Sequence, residues 1–282
     1  MRIVLSQADH IKIETQPGFE SRPPPRGRGS GLGKPGRLRY DLRSTMQAPC
    51  YLKKINGLAG VRADFVERIP GIVVDTDREA TLARLQPEHE ARVKALGFEW
   101  AELQRAEQVH GAEIAMVERE SPVRIWPGVD GLLTADPGVL LGIYVADCGA
   151  VYLSDQKQGV LGLLHSGKKG TEGNITGKAI AMMQNHYGSR PEDIEVALAP
   201  CIRPPHYEVN FASQIRKQVL DAGVPEHRFT DSGLCTGSDL EHYYSYRIER
   251  GCTGRMLALL GRVDVSFASS EGRAKNEKPY AQ

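Results

Sequence analysis

Two nearly continuous apolar runs dominate the middle of the chain, Val139 to Val145 (Val-Leu-Leu-Gly-Ile-Tyr-Val) and Val160 to Leu164 (Val-Leu-Gly-Leu-Leu). Runs with no polar alternation mark strands covered on both faces, so the two are expected as neighbours in one buried sheet with their ends close together. Between them, Ala150 to Leu153 reads as a further short strand and Ser154 to Gly159 as a polar hairpin turn. Glu113 to Glu118 and Ile194 to Leu198 read as strands, Val263 to Ala268 as an extra terminal one, and Tyr243 to Arg250 and Gly254 to Leu260 as closing elements. Helical spacing recurs in three places. Asp75 to Leu96 has apolar residues at Ala80, Leu82, Leu85, Ala91, Val93 and Leu96, but Pro87 should divide it into two pieces. Thr171 to Tyr187 carries Ile175, Ala179, Ile180, Met182 and Met183 on one side, and Asn210 to Ala222 is also helical. The chain is therefore read as α/β.

Composition changes this picture mainly at the ends. Pro17 to Arg39, with Pro23-Pro24-Pro25-Arg26-Gly27-Arg28-Gly29 and Gly33-Lys34-Pro35-Gly36, has almost no large apolar side chain. Such a segment cannot bury enough surface to offset its ordering entropy, so residues 1–45 are expected to be a disordered basic tail, or to precede a true translation start at Met46. Glu271 to Gln282 is charged and polar and is expected to be flexible, which leaves 46–270 as one large domain. Lys plus Arg (36) nearly balance Asp plus Glu (35), so the bulk charge calls for neither nucleic acid nor a membrane. No secretory signal and no run of about 18 apolar residues is visible. Five cysteines without a framework spacing indicate a reducing compartment, so the protein is expected to be cytoplasmic.

Candidate chemistry lies between Gln108 and Gly170. His110, Cys148 and His165 each sit where a strand runs into a turn. Two imidazoles and a thiolate suit zinc, and three ligands leave a fourth position for water. Singly, each is more often an inert thiol or a satisfied histidine. Asp147 beside Cys148, and Gly111 and Gly167 beside the histidines, favour a site, because charge and sharp turns collect at strand ends that bind. Gly167 to Thr171 would lie at the start of the 171–187 helix, where free N–H groups favour an anion, with Lys168 or Lys169 nearby. Glu208 could touch substrate or simply charge the start of the 210–222 helix. Trp126 and Asp130 share a loop that could line a pocket, and Cys201 is read as a buried thiol.

Several ordered motifs resemble one family. They are Gln108-Val109-His110-Gly111-Ala112-Glu113, Asp130-Gly131-Leu132-Leu133-Thr134, Ala146-Asp147-Cys148, His165-Ser166-Gly167-Lys168-Lys169-Gly170-Thr171, Ala199-Pro200-Cys201-Ile202 with Tyr207-Glu208-Val209, and Tyr244-Ser245-Tyr246-Arg247 with Thr253-Gly254-Arg255-Met256. Together they resemble the bacterial laccase-domain family, known also as multicopper polyphenol oxidase, peptidoglycan editing factor or purine nucleoside phosphorylase. The resemblance implies a single-domain mixed-sheet sandwich with flanking helices. It implies His110, Cys148 and His165 as zinc ligands, with copper the less expected metal. It places Gln108 and Gly167 at the substrate, and Phe65-Val66-Glu67-Arg68-Ile69-Pro70-Gly71 puts Arg68 forward as an anion-binding group. The family's H-A-G-W-R-G is here His165-Ser166-Gly167-Lys168-Lys169-Gly170, so a planar guanidinium is replaced by the point charge of Lys169.

The activity implied is phosphorolysis of adenosine, inosine and guanosine, with phosphate as co-substrate, and deamination of adenosine. Asp147 would carry a proton to the leaving ammonia or merely steady the ligand beside it. Arg68, Lys169 and the helix start at 171 would hold phosphate. A peptidoglycan-precursor hydrolase and a non-catalytic zinc protein are the alternatives. A copper laccase needs about ten histidines with paired H-x-H ligands, and this chain has 8 and no such pair. The oligomeric state is left open.

Overall fold

The two apolar runs do not lie side by side: they belong to different sheets that stack face to face. The computed structural model describes residues 48–263; the expected tails, and the terminal strand after Val263, lie outside the described residues. In chain order the strands are β1 (Val61–Val66), β2 (Leu103–Ala106), β3 (Ile114–Met116), β4 (Ile125–Trp126), β5 (Gly131–Thr134), β6 (Leu140–Val145), β7 (Gly149–Asp155), β8 (Val160–Ser166), β9 (Ile194–Leu198), β10 (Phe229–Asp231) and β11 (Met256–Arg262). The helices are α1 (Lys53–Asn56), α2 (Arg78–Ala95), α3 (Lys168–Glu172), α4 (Ile175–Tyr187) and α5 (Phe211–Asp221). One sheet has the order β1-β11-β6-β2-β4 and the other β10-β9-β7-β8-β5-β3, each with parallel and antiparallel pairs.

Complete burial of β6 and β8 follows from this stacking. Leu141, Ile143, Ala258 and Leu260 of the first sheet share a core with Leu132, Ala150, Tyr152 and Leu163 of the second, and Leu82, Leu85 and Val93 of α2 join the same cluster. On the far side of the second sheet, Leu133, Val151, Leu164 and Val196 pack with Ile175, Ile180 and Met183 of α4 and Phe211 and Ile215 of α5. Each sheet thus has one face on its partner and the other under helix. Continuous apolar runs satisfy both. Tyr152 crosses the interior to donate to the Asp64 carbonyl at 2.7 Å, and Arg92 of α2 grips the Asp64 carboxylate at 2.9 and 2.5 Å.

Pro87 does not split the first helix. α2 runs unbroken across it, capped by the Asp77 side chain on Ala80 N at 3.1 Å. The physical reason is facing: Ala83, whose carbonyl loses its helical donor to proline, is exposed, as is Pro87 itself. Water can serve that carbonyl while Leu82, Leu85, His89 and Val93 stay buried on the other side. The opposite error concerns 171–187. It is broken by Gly173 and left-handed Asn174 (φ 58°), so the segment after His165 is the separate one-turn helix α3 and not the start of a long one. Five residues are too few to build the dipole on which an anion site was expected.

Candidate metal centre

Between β6 and β7 the chain leaves one sheet and enters the other, and Asp147 makes the crossing in the left-handed region at φ 83°. Gly149 pairs with Ser166 and Ala150 with His165, so Cys148 emerges directly beside the end of β8. Gln108 (φ 67°) and His110 (φ 62°) are left-handed too. Each such non-glycine residue costs about 1–3 kcal/mol and needs fixing by its surroundings. Gln108 is fixed by its amide, which accepts from Tyr144 N at 2.9 Å and donates to Tyr144 O at 2.5 Å, imitating a strand partner. The Asp147 carboxylate accepts from Thr236 Oγ1 and from Arg247 N, both at 2.7 Å.

These turns bring His110, Cys148 and His165 together, with their donor atoms all within 4.8 Å of one another. The two imidazoles meet edge to face, 4.9 Å apart at 83°. His165 is buried, Cys148 half-buried and His110 exposed, so the cluster opens on the His110 side. Asp130, completely buried, accepts from His165 Nδ1 at 2.7 Å, His110 N at 2.9 Å and Gly111 N at 2.6 Å. A carboxylate on Nδ1 makes that nitrogen the donor and leaves Nε2 free to ligate. Burial works to raise the Asp130 pKa, but His165 and the two backbone N–H groups outweigh it and hold it below the ordinary range. Burial likewise opposes ionisation of Cys148, yet the neighbouring histidines lower its thiol to about 6. For His165 burial favours the neutral ring, and the Cys148 thiolate and Asp130 overcome this and raise it to about 9. Without a metal the trio is a thiolate facing an imidazolium. One nitrogen–sulfur–nitrogen set, already holding a thiolate, fits a zinc-like ion.

A family model described as multi-copper polyphenol oxidoreductase laccase matches residues 76–214 and 209–263. This chain belongs to that family. A purine nucleoside phosphorylase of Deinococcus radiodurans is 35% identical over 238 residues, covering 76% of this chain and 91% of that protein. The purine nucleoside phosphorylase YlmD of Geobacillus stearothermophilus is 34% identical over 193 residues, covering 55% and 70%. The crystal structure of the Geobacillus YlmD superposes with a TM-score of 0.66 at 29% identity, covering 73% of this chain and 93% of that one. Bacillus licheniformis YfiH, at 22% identity and a TM-score of 0.61, shares the fold.

Within this laccase-family framework the other expected residues scatter. Gly167 lies against the cluster: a Cβ added there would stand 2.6 Å from Cys148 Sγ. Gly170 has the same function one turn on, its absent Cβ making room for Gly111 O at 2.9 Å, so α3 can rest on the His110 turn. Lys169 is exposed on α3. Arg68 is engaged, with its Nη2 on Glu249 at 2.6 Å, its Nε on Tyr243 O at 3.1 Å and its guanidinium 4.3 Å from the Tyr244 ring centroid. Glu208 is exposed and paired with Arg247 at 2.7 Å. Gln108 is bound to backbone as described. Sequence reasoning placed Asp130 on a loop and in a motif without a role, quoted Arg247 in a motif without a role, and missed Thr236 and Glu249. The one available pointer was Asp130 heading a motif, Asp130-Gly131-Leu132-Leu133-Thr134, that enters a strand.

Proposed function

We propose that this protein is a zinc-dependent purine nucleoside phosphorylase that also deaminates adenosine. The observation that carries the reading is the His110–Cys148–His165 set, steadied by Asp130 and open on one side, in a chain whose relatives bear the name purine nucleoside phosphorylase. A zinc ion on three protein ligands supplies a fourth position where water is acidified toward neutrality or a base atom is polarised.

The chain's own groups supply the rest. In phosphorolysis a phosphate oxygen attacks C1′, the C1′–N9 bond breaks, and its electron pair leaves with the purine, which takes up a proton. In deamination the elements of water replace the C6 amino group, which leaves as ammonia. Both need a substrate held still beside the cluster. His110, the exposed ligand, lies at the mouth, and Lys169 adds a positive charge on α3. Asp147, with each carboxylate oxygen already accepting one hydrogen bond, is better suited to fixing the sheet crossing than to ferrying protons. Arg68 and Glu249 brace the 243–253 segment that carries Arg247. Gly167 leaves room for the Cys148 thiol beside α3.

The test is incubation of purified protein with inosine and phosphate, and separately with adenosine, before and after chelation and zinc restoration. Release of hypoxanthine with ribose 1-phosphate, and of ammonia from adenosine, is expected only with metal. Failure to cleave inosine in the zinc-loaded protein overturns the reading. The nitrogen–sulfur–nitrogen set also speaks against the oxidase chemistry in the family's name, because among the described residues it is the one metal-suited group, and a multicopper cluster needs several.

A further inference from the structure

The end of the first sheet nearest the cluster carries positive side chains that the metal centre does not use. Arg105 stands opposite Gly142 of β6. A Cβ at Gly142 would meet Leu103 Cδ1 at 2.8 Å and Arg105 Cγ at 3.4 Å, so the glycine lets the arginine stem lie flat and reach along the strand. Its guanidinium carbon comes 5.4 Å from the Tyr144 ring centroid. Arg255 immediately precedes β11, whose Leu257 pairs with Tyr144. It donates to the Thr253 and Gly254 carbonyls at 3.3 and 2.8 Å and lies 5.8 Å from the Tyr246 ring centroid. It is close enough to interact with the charges of Cys148, Asp147 and Arg78. Arg78, the first residue of α2, interacts in turn with Tyr144.

Of these three arginines Arg78 alone has a carboxylate partner among the described residues, Glu79 at 2.6 Å. Among the described residues neither Arg105 nor Arg255 has a carboxylate to balance it, and both are half-buried, where less water screens their charge. A hydrated oxyanion would balance this charge: its oxygens accept from the arginine forks, as phosphate does from guanidinium.

We propose that Arg255 and Arg105, with Arg78 at the rim, form the seat of inorganic phosphate beside the metal centre. This rests on the phosphorylase reading and moves the anion site away from Arg68, which Glu249 already neutralises, and away from the one-turn helix α3. Arginine forks here would also compensate for the Lys169 exchange in the Gly167–Gly170 segment.

The experiment is equilibrium dialysis of the full-length, zinc-loaded protein against radiolabelled phosphate, alongside steady-state kinetics with inosine. Wild type should show saturable binding. Arg255→Gln and Arg105→Gln should weaken it about tenfold or more, and Arg216→Gln, on α5 and already paired with Glu226, should not. Kinetically, Arg255→Gln should raise the phosphate KM by a similar factor and leave the inosine KM within about twofold, a split that general disruption of the fold does not produce. Arg255→Lys should fall between. If Arg255→Gln fails to fold, as judged by circular dichroism, Arg105→Gln and Arg78→Gln carry the same comparison. Absence of saturable binding in wild type, or unaltered binding in folded Arg255→Gln and Arg105→Gln, overturns the seat. Arginine-dependent phosphate binding without nucleoside cleavage supports the seat and sinks the phosphorylase reading; cleavage with an unaltered phosphate KM in Arg255→Gln does the reverse.

Discussion

Asp130 offers the sharpest test of the metal centre, because one carboxylate holds two of the three ligand segments. Replacing it by asparagine keeps the shape and removes the charge. The native group accepts three hydrogen bonds at 2.6–2.9 Å, from His165 Nδ1, His110 N and Gly111 N. The asparagine oxygen can retain the pair now on Oδ1, but the amide nitrogen then faces the Gly111 N–H, donor against donor. One buried donor left unpaired costs about 1–3 kcal/mol, which for a domain of this size lowers Tm by roughly 2–12 °C. Loss of the carboxylate also makes His165 a poorer ligand, and removing such outer partners lowers metal affinity about 10–100-fold. Zinc titration against a chromophoric chelator, with circular dichroism to confirm folding, measures both effects. Zinc affinity within twofold of wild type in a folded Asp130→Asn protein would refute the argument that this carboxylate orients the site.

The remaining predictions concern the ligands themselves. Cys148→Ala removes the thiolate and should lower as-purified zinc from one equivalent to near none by elemental analysis; full retention would show that another residue completes the set. Gly167→Ala places a methyl 2.6 Å from Cys148 Sγ, so it should displace the thiolate and lower zinc affinity at a stability cost of about 1–3 kcal/mol; unchanged metal content and Tm would contradict the close approach. Zinc binding must expel the proton that His165 holds up to about pH 9, while Cys148 is already ionised above about 6. Affinity should therefore rise about tenfold per pH unit between those values and more steeply below 6; a flat profile would dispose of the thiolate–imidazolium pair. In the metal-free protein the same pair contributes stability that is lost as pH rises through about 9, where His165 deprotonates, and as it falls through about 6, where Cys148 protonates.

Much of this protein was readable in one dimension. Continuous apolar runs announced β6 and β8, Ile194–Leu198 is the strand expected, and α5 falls inside the predicted 210–222 with Asn210 as its cap. Local chemistry suffices for these, since burial on two faces needs apolar residues throughout and a helix start needs an acceptor. The candidate trio, which the structure brings within 4.8 Å, and the family were legible too, because residue types and ordered motifs survive without coordinates. Sheet membership was not: an apolar run shows that a strand is covered on both faces without showing by what, so β6 and β8 were assigned to one sheet when they lie in two. Pro87 was misjudged because propensity is blind to which helix face meets water. The partners of Asp130 and Thr236, and the want of a carboxylate beside Arg105 and Arg255 among the described residues, stayed hidden for the same reason. A charged side chain takes its partners, or its lack of them, from segments far along the chain, and three-dimensional packing alone brings those segments together.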